Sequence, residues 1–205
     1  HHTKGVVRRL AAIAKAENND MVSYMVRLNC ESASEKLLIP AFVYFFQMLY
    51  PFPRVNDSRS KVAAAAGGTI LISRAAMERI GGFESMKDAI IDDCSLAALV
   101  KSRGHSIWLG LSPTSYSTRK YTQMSEIVQM ISRTAFTQLR YSWLAVIISV
   151  VGLGITFLAP PVLTLVGVRW TKWLATAAWI LMTATYTPMI ERYRLSIMNS
   201  LLLPV

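Results

Sequence analysis

The sequence predicts an α/β domain followed by membrane-spanning helices, and its charge distribution carries much of that prediction. Residues 1–141 hold 18 Lys/Arg and 11 Asp/Glu, whereas residues 142–205 hold four Lys/Arg and one Glu. The chain is 53% apolar and 17% charged, which excludes a disordered protein and is unusual for a soluble domain. Before residue 141, strand-like and helix-like patterns alternate, which is typical of α/β organisation.

The elements of the first part follow from periodicity and from turn residues. They are a helix at 4–18, a strand at 21–28, a helix running toward Tyr50, a strand at 70–72, a helix at 75–80, a helix at 94–103 and a strand at 106–109. Ser32 or Ser34 can cap the second helix, and Pro51-Phe52-Pro53 should end it before a polar loop at 55–58. Gly81-Gly82 and Gly104 should close the later helices.

An uncharged segment within the second helix could serve the membrane surface. Residues 37–53 contain no charge over 17 residues and carry six aromatic side chains. The segment is short for a membrane span, so residues 31–53 are expected to form an interfacial helix whose aromatic side chains enter lipid. The alternative is a helix buried in the domain core.

Residues 142–190 are predicted to form a transmembrane helical hairpin. Residues 141–168 contain no charge over 28 residues, and a helix of that length is longer than the ~30 Å hydrocarbon core of a bilayer. Pro160-Pro161 should kink this helix or end it near Ala159. Residues 173–190 form a second uncharged stretch of 18 residues. Flanking arginines favour a cytoplasmic location for residues 1–141, with 191–205 forming a cytoplasmic turn and the start of a further hydrophobic segment. The alternative is a buried helical hairpin of a large soluble protein.

The ends and the cysteines add two expectations. The chain lacks an initial Met and stops within a hydrophobic run, so it is expected to be an internal fragment. Its two cysteines, Cys30 and Cys94, lie in no CxxC or Cys/His cluster, which favours a reducing compartment over a disulfide framework or a zinc site.

The strongest candidate site lies between two glycine-rich turns and a helix. Gly67-Gly68-Thr69 precedes a strand, and Ile90-Ile91-Asp92-Asp93 opens the helix at 94–103. Paired acids at a helix start favour the helix dipole, so a capping role is one interpretation of Asp92 and Asp93. The order of the surrounding motifs supports a second interpretation.

That order resembles the second half of inverting family 2 glycosyltransferases. The hopene-associated group is the most similar, and the ceramide glucosyltransferases are more distant. The motifs that carry the resemblance are Met25-Val26-Arg27-Leu28, Asn56-Asp57, the run from Ala63 to Gly68, Ile91-Asp92-Asp93, Trp108-Leu109-Gly110-Leu111 and Arg133-Thr134-Ala135-Phe136-Thr137-Gln138-Leu139-Arg140-Tyr141. The resemblance implies the C-terminal part of a GT-A (nucleotide-diphospho-sugar transferase) domain, with Asp93 as the catalytic base and Asp92 as its acidic neighbour.

The resemblance also implies a substrate-binding set and a metal. Gly67, Gly68, Gln138, Arg140 and Tyr141 are the expected substrate-binding residues, and Arg140 would clamp the departing diphosphate. The family pattern is Gln or Arg, two residues, then Arg-Trp; here Thr137 and Tyr141 stand at the first and last positions. A divalent cation, Mg²⁺ or Mn²⁺, is expected with its Asp-x-Asp ligands upstream of residue 1, so no metal ligand is predicted in these residues and the fragment should be inactive alone.

Together these observations predict a membrane-bound hexosyltransferase. The expected partners are a nucleotide-sugar donor, a lipid acceptor of a hopanoid-related type and a membrane, and no nucleic acid. The expected location is a bacterial inner membrane, with the catalytic domain in the cytoplasm. The alternative is a non-catalytic, membrane-anchored binding or scaffold protein in which the acidic pair only caps a helix.

Overall fold

A computed structural model describes residues 2–82, 93–139 and 142–203, without the side chains of residues 137 and 138. The chain forms two compact units. The first comprises the described residues of His1–Asn29 and Phe46–Lys120, and the second those of Cys30–Phe45 and Tyr121–Val205. These units divide after Lys120, and the domain boundary expected at residue 141 stays a prediction.

The described elements alternate between helix and strand before they become wholly helical. In chain order they are α1 (Val6–Ala16), β1 (Met21–Arg27), α2 (Ala33–Leu49), α3 (Phe52–Asn56), β2 (Ile70–Ile72), α4 (Arg74–Arg79), α5 (Asp93–Ser102), β3 (Ile107–Tyr116), α6 (Met124–Gln138), α7 (Trp143–Val166), α8 (Arg169–Arg192) and a final 3-10 helix (Ile197–Leu202). Most of the predicted elements are thereby confirmed.

The first unit is built on a small mixed sheet. Its three described strands lie in the order β2-β1-β3, with β1 antiparallel to β2 and parallel to β3. Val22 and Tyr24 of β1 pack against α1, whereas Met21 belongs to a separate core with α3, α5 and residues 63–65. The sheet thus has a helix layer on each face, which is the α/β organisation expected from the sequence.

Two elements of this unit differ from the sequence prediction. The expected loop at 55–58 begins instead as the short helix α3, because Pro53 occupies the first helical turn, where its missing N–H costs nothing. Strand β3 runs seven residues beyond the predicted end at Leu109. Gly110 permits this extension, since a Cβ there would lie 2.2 Å from the ring of Trp108.

A reciprocal capping arrangement starts α2, as the sequence suggested for Ser32. The Glu35 amide donates to Ser32 Oγ at 3.1 Å, and Glu35 Oε2 accepts from the amide of Ser32 at 2.9 Å. The other carboxylate oxygen of Glu35 accepts from the Tyr121 amide at 2.8 Å. The buried Glu35 therefore joins the start of α2 to the segment that leads into α6.

The first half of α2 packs against the two long helices of the second unit. Tyr44 Oη lies 2.9 Å from Thr185 Oγ1 of α8, and the ring of Phe45 contacts Phe157 of α7 at a centroid distance of 5.1 Å. Ile39 and Val43 are fully buried. These contacts place the first half of α2 against helices of its own unit, and the interfacial role expected of residues 31–53 stays a prediction.

Among the described residues, α7 is the one helix long and apolar enough to cross a membrane. It continues through Pro160-Pro161 to Val166 instead of ending near Ala159, and Thr164 Oγ1 donates to the carbonyl of Pro160 at 2.8 Å. Helix α8 has the same length, but its threonines and tyrosine lower its hydropathy. Length and composition therefore support one membrane span, whereas two spans were predicted from the sequence.

Candidate functional site

Asp93 is the first residue of α5, and its carboxylate is bound by backbone amides. Asp93 Oδ1 accepts from the Cys94 amide at 3.0 Å, and Oδ2 accepts from the amide of Gly67. A carboxylate at this position also interacts favourably with the amino end of the helix dipole of α5. This geometry fits both interpretations of Asp93, as an acid that caps the start of the helix and as a carboxylate held in place for general-base chemistry.

Positions 67 and 68 require glycine because neighbouring side chains lie close to the backbone there. A Cβ on Gly67 would lie 3.1 Å from Asp93 Oδ2, and a Cβ on Gly68 would lie 3.0 Å from Val26 Cγ2. Since Val26 is near the carboxyl end of β1, this turn places Asp93 beside that end of two parallel strands. Ligands of open α/β sheets bind in the crevice at this position.

A buried serine holds the turn that contains the two glycines. Ser23 of β1 is 1% exposed, and its Oγ accepts from the Ala66 amide at 2.8 Å. The same hydroxyl lies 3.1 Å from the Ala66 carbonyl and 3.2 Å from that of Thr69, either of which can accept its proton. Sequence reasoning missed Ser23, although a serine within an apolar strand is a signal for a buried polar role.

A lysine fixes the other end of α5. Lys101 Nζ donates to the carbonyls of Val55 and Val62, each at 2.7 Å. Burial lowers the pKa of Lys101, and the charge of Asp57 partly offsets this effect. Because residue 62 leads into the run from Ala63 to Gly68, Lys101 ties both the helix and the approach to the glycine turn to α3.

Comparison with known proteins decides the family. The family model of glycosyl transferase family 21 matches residues 13–205, which is nearly the whole chain. The chain belongs to glycosyl transferase family 21. No curated protein and no solved structure shows significant similarity to it.

Membership of family 21 confirms that the chain is a glycosyltransferase and corrects the predicted subgroup. Family 21 is ceramide glucosyltransferase-like, so the predicted order of relatives was wrong in putting the hopene-associated group first. The ceramide glucosyltransferases were the more distant of the two predicted relatives.

The structure brings together some of the predicted site residues. Asp93, Gly67 and Gly68 form one cluster. Asp92, Arg140 and Tyr141 lie outside the described residues, and Gln138 ends α6 with a side chain that is not described. In the described part of the chain, no group of three or more His, Cys, Asp and Glu side chains could hold a metal ion.

The opposite end of the sheet is held by an acid–histidine pair. His105 Nδ1 lies 2.9 Å from Asp20 Oδ2, and the ring of His105 is buried. Burial opposes ionisation of Asp20, but the hydrogen bond and charge of His105, together with hydrogen bonds from Ser73 and Ser106, outweigh it and lower the pKa of Asp20. Asp20 precedes β1 and the pair lies at the amino ends of β1 and β3, so it stabilises the sheet away from Asp93.

Proposed function

We propose that this family 21 protein is a membrane-bound inverting glycosyltransferase that moves a sugar from a nucleotide-sugar donor to a lipid. The catalytic part is the C-terminal portion of a GT-A domain. The observation that carries the proposal is the Asp93 carboxylate, which Gly67 and the start of α5 hold at the carboxyl end of β1. Family membership supplies the reaction class, and this carboxylate supplies the group that such a reaction needs.

In the proposed reaction, Asp93 accepts one proton. The acceptor hydroxyl attacks the anomeric carbon from the face opposite the leaving group, so a carbon–oxygen bond forms as the bond to the nucleoside diphosphate breaks. The hydroxyl proton passes to the Asp93 carboxylate, and the bonding electron pair leaves with the diphosphate. The amides of Gly67 and Cys94 hold the carboxylate in position for this transfer.

The remaining substrate-binding roles are proposed from the resemblance. Arg140 would bind the departing diphosphate, with Gln138 beside it and Tyr141 stacking on a sugar ring. Gly68 would border the donor, whereas the Gly67 amide is engaged by Asp93. Asp92 would be the less critical acid. A divalent cation would bind to residues outside the part of the chain described here, and no step above is assigned to it.

The lipid acceptor is proposed from the second unit. Helix α7 exposes a continuous apolar surface, including Leu144 at 67% and Ile155 at 65% exposure, as expected for a helix in lipid. Anchoring by α7 would keep the enzyme at the membrane that contains its lipid acceptor. Family membership favours a ceramide-like acceptor, and a hopanoid polyol is the second candidate. We further propose that residues 1–141 lie in the cytoplasm.

The test is lipid labelling by membranes that contain the full-length protein. Radiolabelled UDP-glucose, UDP-galactose and UDP-N-acetylglucosamine are each supplied with ceramide, with a hopanoid polyol or with total membrane lipid. The proposal predicts that one donor labels a lipid and that membranes without the protein do not. Labelling of no lipid by any donor, from folded protein, would favour the membrane-anchored scaffold in which Asp93 only starts α5.

A further inference from the structure

We infer that Ser23 is a positioning residue for the proposed base, acting through the turn at residues 66–69. The inference rests on the proposed function of Asp93. Ser23 itself lies under the turn, and the hydrogen bonds described here connect it to Asp93 only through the backbone of Ala66 and Gly67.

Backbone hydrogen bonds and the Ser23 hydroxyl together close this turn. The Thr69 amide donates to the Ala66 carbonyl at 3.3 Å, and the Tyr24 amide of β1 donates to the Thr69 carbonyl at 3.0 Å. Ser23 Oγ adds an acceptor for the Ala66 amide and a donor to one of the two carbonyls. When it donates to the Thr69 carbonyl, the hydroxyl bonds both ends of the turn, Ala66 and Thr69, while the two glycines lie between them.

Glycine makes this support necessary. Gly67 and Gly68 have no side chain that could restrict the backbone, and glycine has the largest conformational freedom of any residue. Their small size is required by Asp93 and Val26, so rigidity must come from outside the turn. A buried hydroxyl with three backbone partners is suited to this purpose, because displacing the turn would leave it without hydrogen bonds.

The position of the Gly67 amide determines the position of the Asp93 carboxylate. The amide donates to Oδ2, and a small shift of a catalytic group can reduce a rate by up to about 100-fold. Removal of the Ser23 hydroxyl should then lower kcat and leave the KM for the donor unchanged, because the proposed base acts in the chemical step.

The experiment compares Ser23→Ala, Ser23→Thr and Ser73→Ala in full-length protein, with the donor that labels lipid in the assay above. Ser73 caps α4 at the far end of the sheet, so Ser73→Ala removes a structural hydroxyl without touching the turn. We expect Ser23→Ala to lower kcat roughly tenfold at an unchanged KM for the donor. Ser23→Thr, which keeps the hydroxyl, should retain the wild-type kcat, as should Ser73→Ala.

Each kcat is expressed per folded protein, taken from the thermal unfolding curve of the same preparation, so a lower kcat reports positioning and not loss of folded enzyme. If Ser23→Ala fails to fold, Ser23→Cys replaces it, since a thiol is a weak hydrogen-bond partner. A wild-type kcat in the Ala or Cys variant would overturn the inference. Asp93→Asn is measured alongside: full activity in that variant would refute the proposed base itself, whereas loss of activity there with a normal kcat for Ser23→Ala would refute only the role of Ser23.

Discussion

Gly67 and Gly68 are adjacent, yet a side chain at each would meet a different neighbour. A Cβ at Gly67 would lie 3.1 Å from the Asp93 carboxylate, and one at Gly68 would lie 3.0 Å from Val26. Gly67→Ala is therefore expected to reduce sugar transfer by about 10- to 100-fold while the protein remains folded. Steady-state transfer and the thermal unfolding midpoint measure the two effects.

Gly68→Ala provides the matched comparison. Its methyl group meets a hydrocarbon side chain, so it should lower stability more than it alters chemistry, and Val26→Ala should restore the lost stability by making space. If Gly67→Ala had full activity, the turn would not control the Asp93 carboxylate.

The pair of Asp20 and His105 gives a pH-dependent contribution to stability. Because the pKa of Asp20 is lowered on folding, its ionised form stabilises the protein above the ordinary value of 3.8, and this contribution is lost as the pH falls through the lower folded value. Asp20→Asn should reduce the thermal midpoint at pH 6, and the difference from wild type should narrow below about pH 3.8. A difference independent of pH would contradict this account.

At the scale of elements, α5 is fixed at both ends, by Asp93 at its start and by Lys101 near its end. Lys101→Met would leave the carbonyls of Val55 and Val62 without this donor and should cost about 1–3 kcal/mol of stability. Denaturant unfolding checks this expectation. Lys61→Met is the control, because Lys61 is an exposed lysine next to Val62. Equal losses of stability in both variants would remove any special role for Lys101.

The elements that sequence patterns predicted are those whose signals are local. Strand β1 is marked by alternating apolar residues, and the ends of α4 and α5 are marked by glycines, so each signal lies within a few residues of its element. Gly81, Gly82 and Gly104 indeed have positive φ. Helix α6 was not predicted as an element, and β3 was predicted too short. In β3, Gly110 and Pro113 suggest a turn, but the ring of Trp108 covers the position that glycine leaves open.

The same difference between local and distant signals decides which residues of the candidate site were predicted. Asp93, Gly67 and Gly68 were identified because their motifs follow one another in a recognisable order. Ser23 and Lys101 were not, because their backbone partners lie 39 to 46 residues away in the chain. Only the folded sheet brings Ser23 under the glycine turn.

At the scale of the whole molecule, the membrane topology is the principal open prediction. The hairpin hypothesis requires both α7 and α8 to cross, which places the joint near Val168 on the side opposite Thr118. Single cysteines at these two positions, in a background without Cys30 and Cys94, are to be tested with a membrane-impermeant maleimide in sealed vesicles. Opposite accessibility supports a crossing by α7, which the hairpin requires, and equal accessibility would contradict the hairpin.

The central claim is that Asp93 is the general base of a sugar transfer, and Asp93→Asn in the full-length protein tests it most directly. The substitution preserves size but removes the basic carboxylate, so transfer to lipid should fall by roughly 10²- to 10⁴-fold while nucleotide-sugar binding persists. Asp92→Asn should cost less. Undiminished transfer by folded Asp93→Asn protein would contradict the claim and leave Asp93 as a residue that only begins α5.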